Sequence, residues 1–162
     1  MKNENKWVLI ERVFDAPIET VWKMWTDPAL FQKWYGPNGM KVPVVEMDVV
    51  VGGRRKICME MVRPERTMIM WFTGQYKEVE EPTRLVYTES MSDQDGNIIS
   101  PEAMGMPKGH PEVTEIIIEL SKDNGKTRMK MVHIGVPADS GGAGGWTQAI
   151  NKLAALVESV AD

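Results

Sequence analysis

Apolar and polar positions alternate or recur along the chain in a way that assigns most of it to short regular elements. Residues 7–14 (Trp7-Val8-Leu9-Ile10-Glu11-Arg12-Val13-Phe14) are rich in Val, Ile and aromatic residues and predict a β-strand. Asp15 then offers an N-cap, and Pro17 suits the first turn of a helix. Ile18, Val21, Trp22 and Trp25 follow at i, i+3, i+4 and i+7, one face of a short helix. Asp27-Pro28 restarts the pattern, because proline is tolerated only where a helix begins. Leu30, Phe31, Trp34 and Tyr35 repeat the spacing until Gly36-Pro37 ends it. Strand signals follow at 43–50, 54–62, 68–79 and 84–91, separated by Gly52-Gly53, Arg63-Pro64 and Glu81-Pro82. Residues 92–112 carry no period and read as a long loop. Two more strands are expected at 113–120 and 127–136, joined by Lys122-Asp123-Asn124-Gly125, a strong hairpin signal. Trp146, Ile150, Leu153, Val157 and Val160 then step along one face of a final helix near 140–160.

Side-chain parity separates the strand faces. Thr114, Ile116, Ile118 and Leu120 point one way, and Met129, Met131 and His133 share a face against Arg128 and Lys130. A sheet with one dry and one wet face needs a cover, and the apolar stripe of the last helix is the natural one. The class is therefore α+β, expected as one domain over 1–162.

Composition narrows the function. The 162 residues include 43% apolar and 26% charged positions, ordinary for a globular protein. The net charge of −4 argues against a nucleic-acid partner, which would call for a basic face. One cysteine and two histidines exclude an intrachain disulfide and the usual zinc clusters. The expectation is no metal and no cofactor. With no apolar signal region and no stretch long enough to span a membrane, the expected compartment is the cytoplasm. Thirteen methionines and six tryptophans are both high, and methionine suits adaptable apolar surfaces.

Most motifs that carry chemistry fail on spacing. Gly125-Lys126-Thr127 resembles the end of a phosphate loop, but Leu120 stands where the upstream glycine belongs, and a strand follows in place of a helix. Gly141-Gly142-Ala143-Gly144-Gly145 opens a helix, yet Thr147 holds the third glycine position of a dinucleotide fingerprint. Asp93-Gln94-Asp95-Gly96 lacks the glutamate of a calcium loop, having Met104 in its place. Cys58, in a strand, reads as a buried inert thiol. His133 on an apolar face reads as a satisfied core residue before it reads as a base. Glu60, Glu89 and Glu115 are expected on the wet face. Catalysis is not the leading expectation.

An ordered series of motifs runs along the chain: Phe14-Asp15-Ala16-Pro17, Trp25-Thr26-Asp27-Pro28, Trp34-Tyr35-Gly36-Pro37 and Gly74-Gln75-Tyr76-Lys77-Glu78-Val79. Pro82-Thr83-Arg84-Leu85-Val86-Tyr87, Gly105-Met106-Pro107 and Gly144-Gly145-Trp146-Thr147-Gln148 continue it. Over residues 7–158 the chain resembles the family named for the C-terminal domain of the activator of the 90-kDa heat-shock protein ATPase, within the START-like helix-grip (SRPBCC) superfamily. The resemblance implies a curved seven-stranded antiparallel sheet around a long C-terminal helix, with two short helices between the first and second strands. It also implies an internal cavity between sheet and helix that binds a small hydrophobic molecule, lipid- or polyketide-like, for carriage, sensing or sequestration. The alternatives are a co-chaperone-like interaction module with a chaperone partner, or an enzyme acting on a hydrophobic substrate. Its activator namesake has an additional N-terminal domain, for which these residues leave no room. A monomer or a homodimer is expected.

Strand parity and helix phase nominate the lining of such a cavity. Ile57, Met59, Phe72, Tyr76, Met129, Met131 and His133 should face Trp146 and Ile150, with Trp34 closing one end. Met104 and Met106, in the 92–112 loop, are expected to cover the opening as a gate. Arg55 shares a strand face with Ile57 and Met59; either that strand end is solvated or a cation reaches the pocket mouth. Inside an apolar cavity His133 should stay neutral, with a depressed pKa.

Overall fold

The computed structural model describes residues 6–105 and 110–160. Strand β1 (Trp7–Phe14) leads into helices α1 (Ile18–Thr26) and α2 (Pro28–Trp34). Then come β2 (Met40–Met47), β3 (Arg54–Val62), β4 (Thr67–Glu80), β5 (Arg84–Ser92), β6 (Thr114–Asp123), β7 (Lys126–Pro137) and helix α3 (Gly141–Val160). The seven strands form one antiparallel sheet in the order β1-β7-β6-β5-β4-β3-β2. It is the curved α+β helix-grip arrangement, with α3 packed against β1, β7, α1 and α2.

Local chemistry explains the joints. Asp27 caps α2 by accepting from the Ala29 amide at 2.9 Å, and Pro28 fills the first helical position. Helix α1 starts later than the sequence suggests. Its N-cap is Pro17 with no side-chain bond, and the backbone amide of Asp15 donates instead to Glu158 of α3. β2 begins at Met40, three residues ahead of its predicted start, and stops at Met47; Val50 already sits in the turn before β3. β6 and β7 are joined by Asn124-Gly125 with φ of 52° and 84°, the paired positive values a type I′ turn demands.

Helix α3 closes on the inner face of the sheet at β1 and β7, and its apolar stripe joins one core with that face. Phe14, Ile116, Ile118, Met129 and Met131 are buried beneath Ile150, Leu153 and Val157. The outer face is wet and ion-paired: Lys77 with Glu115, and Arg84 with Glu78 and Glu119. Within the expected 92–112 loop, residues 92–105 hold more order than a structureless segment. Asp93 accepts from the amides of Asp95 and Asn97, Ser92 bridges to Ile98, and Glu102–Met104 form a 3-10 turn.

Candidate functional site

An ion pair lies inside this apolar face. Arg55 is 2% exposed and Glu89 8%, and Arg55 Nη1 stands 3.8 Å from Glu89 Oε2. The wet-face placement of Glu89 is thus corrected: alternation along β5 puts it inward with Leu85 and Tyr87. Neither expectation for Arg55 describes it either, because its guanidinium is sealed in the core. The cation is held by rings as well as by charge. It lies 3.9 Å from the Tyr87 ring centroid and 5.4 Å from that of Phe31, and its Nε donates to Tyr76 Oη at 3.3 Å. Burial works against its charge, but Tyr87, Tyr76 and Glu89 more than offset this and raise its pKa. Tyr35 donates to Glu89 Oε2 at 3.1 Å, and burial together with Glu89 pushes its phenol pKa well up.

His133 is the second polar residue here, 5% exposed. Trp146 donates its indole N–H to His133 Nδ1 at 2.9 Å. An indole nitrogen only donates, so Nδ1 is the bare nitrogen and the neutral ring carries its proton on Nε2. Nε2 donates to Thr114 Oγ1 at 2.8 Å, and the Thr114 hydroxyl donates to the Glu89 carbonyl at 3.1 Å. Burial holds the His133 pKa below its ordinary value; Glu89, 4.0 Å away, pulls it up, and Arg55 lowers it further. Gly135 keeps this corner tight: its φ is 108°, and an added Cβ would come within 2.7 Å of the Thr114 methyl.

Two open pockets adjoin at His133 and Glu89. One, of about 190 Å³, lies between the first turns of α3 and the Tyr35–Pro37 bend, with Met59, Trp146 and Ala149 among its walls. The other, of about 490 Å³, runs under Phe72 and Met91 to Pro101 and to His110–Glu112. Both also share Val136, Gly141 and Gly142.

Of the residues nominated from sequence, Met59, Phe72, His133 and Trp146 border these pockets. Trp34, Ile57, Tyr76, Met129, Met131 and Ile150 are buried in the packed core and border neither. Trp34 spends its indole N–H on the Met24 carbonyl at 2.9 Å and meets Trp25 edge-on. Met104 contributes backbone to the 3-10 turn, and Met106 lies outside the described residues. Other residues of that loop, Pro101 and His110–Glu112, do line the second pocket.

Sequence reasoning placed Glu89 on the wet face and nominated none of Tyr35, Glu89, Thr114 and Gly141 as pocket residues. Glu89 did leave a signal, a carboxylate in phase with Leu85 and Tyr87, just as Arg55 is in phase with Ile57. Cys58 is buried, and burial with Glu60 nearby pushes its thiol pKa up. Among the described residues no cluster of His, Cys, Asp and Glu could hold a metal ion, and no helix is long and apolar enough to cross a membrane.

The model of the family described as Activator of Hsp90 ATPase homolog 1-like protein matches residues 15–158. The chain belongs to this family. The homolog 1-like fold is shared with a solved protein from Nitrosomonas europaea at a TM-score of 0.76 and 21% identity, covering 99% of this chain and 98% of that one. A Chromobacterium violaceum protein matches at 0.75 and 29% identity, covering 94% and 97% of the two chains. The AHSA1 protein of Silicibacter pomeroyi matches at 0.69 and 21%, again covering 94% and 97%. No curated protein matches the sequence.

Proposed function

We propose that this homolog 1-like protein binds a small hydrophobic molecule in the adjoining pockets at the start of α3, as a carrier, sensor or sequestering protein. The observation that carries this is the makeup of the smaller pocket: Met59, Val136, Trp146 and Ala149 supply apolar wall, while Glu89 and His133 stand beside them as polar anchors. Apolar walls with few fixed polar groups are the usual form of a small-molecule site. The family's fold commonly takes hydrophobic ligands, which agrees with this reading.

The enzyme reading is weaker. An acid–base role needs a ring nitrogen free to exchange a proton with substrate, and both nitrogens of His133 are engaged, by Trp146 and Thr114.

The test is titration with N-phenyl-1-naphthylamine, a neutral dye that brightens in apolar surroundings. Saturable enhancement with one site per chain, lost when Gly141 is replaced by leucine, is the expected result. A linear, unsaturable response, or one that survives Gly141→Leu unchanged, overturns the proposal.

A further inference from the structure

The two oxygens of Glu89 are not equivalent. Oε2 accepts from Tyr35 and faces the Arg55 guanidinium. No described residue donates a hydrogen bond to Oε1. His133 Nε2 stands 4.0 Å away, and its proton is directed to Thr114. Glu89 borders both pockets, and its side chain is only 10% exposed. Oε1 opens on the pockets and is not sealed from solvent, so a ligand that displaces solvent there leaves it without a donor unless the ligand supplies one.

The charge of the surroundings selects the kind of donor. Arg55 already compensates Glu89 from behind and borders neither pocket. A second cation at Oε1 would stand close to that guanidinium in a weakly screened interior, and a ligand carboxylate would meet Glu89 directly. A neutral hydroxyl avoids both penalties and gains a charge-assisted bond. We propose that the molecule taken by these pockets carries a neutral alcohol or phenol that donates to Glu89 Oε1, making Glu89 the residue that sets ligand specificity. This rests on the pocket being a ligand site, and it adds the ligand's polar chemistry.

Three matched probes test it on the unaltered protein: 1-naphthol, naphthalene and 1-naphthoate, titrated with the Trp146 indole and Met59 methyl NMR signals as local reporters. The expected order is naphthol tighter than naphthalene by about tenfold or more, with naphthoate weakest. Equal affinity of naphthol and naphthalene, or naphthoate binding tightest, overturns the hydroxyl assignment while leaving the pocket proposal standing. Failure of all three to shift the reporters overturns both. Glu89→Gln should bring naphthol down towards naphthalene. If that variant does not fold, because it strands Arg55, the Arg55→Met/Glu89→Gln double variant takes its place, and the three-probe ranking decides in any case.

Discussion

Trp146 of α3 donates its indole proton to Nδ1 of His133 on β7 across 2.9 Å, a bond that joins helix to sheet and fixes the histidine tautomer. A bond to the bare nitrogen stabilises the neutral ring, and burial of the ring acts in the same direction.

The His133 pKa should therefore lie below about 6.5, the value of an unperturbed histidine. The unfolded chain then binds more protons than the folded one between these values. The contribution of His133 to stability is complete above the unfolded pKa and is lost as pH falls through it towards the folded pKa. A long-range nitrogen NMR titration reads both tautomer and pKa; a normal or raised value contradicts the assignment. Trp146→Phe removes the donor and should move the pKa upward.

Arg55→Met should be far more damaging than its shape change suggests. It leaves Glu89 buried without its cation, a loss of about 3–5 kcal/mol for a broken buried pair. Arg55→Met with Glu89→Gln should recover much of that loss, so chemical denaturation of the singles and the double should show strong coupling. Additive losses would mean that the two side chains do not act as a pair.

Gly141→Leu should separate binding from folding. A Cβ at Gly141 meets nothing within 4 Å, and the residue borders both pockets, so a larger side chain has room to enter them. Ligand affinity should fall about tenfold or more, while stability should hold, because Gly141 is the exposed first residue of α3. A drop in the melting temperature would show that the space is not available to a side chain.

Phe72→Ala and Leu153→Ala distinguish pocket wall from close-packed core. Leu153 is fully buried and should cost about 2–5 kcal/mol. Phe72 is only partly buried and lies along the larger pocket, so its loss should fall below the ~3–5 kcal/mol of a packed phenylalanine. Equal losses from urea unfolding would place Phe72 in the core proper.

Periods of 2 and 3.6 residues were enough to determine the element order, the inward faces of β6 and β7 and the apolar stripe of α3, because these depend on backbone geometry and neighbouring residues alone. The ordered motifs were enough for the family. The same parity placed Arg55 and His133 on the inner face, and it carried the information that Glu89 belongs there too. A lone carboxylate in a strand is ordinarily solvated, however, and what reverses that here is Arg55, brought alongside only when β4 pairs with both β3 and β5. Space between sheet and helix was likewise beyond periodicity. Met131 and His133 share a face two residues apart, yet Met131 is sealed beneath the helix while His133 opens on two pockets. That difference depends on how closely α3 approaches β7 at each point along its length, which is set by the fit of side chains from α1, α2 and the sheet together, and no local stretch of sequence encodes it.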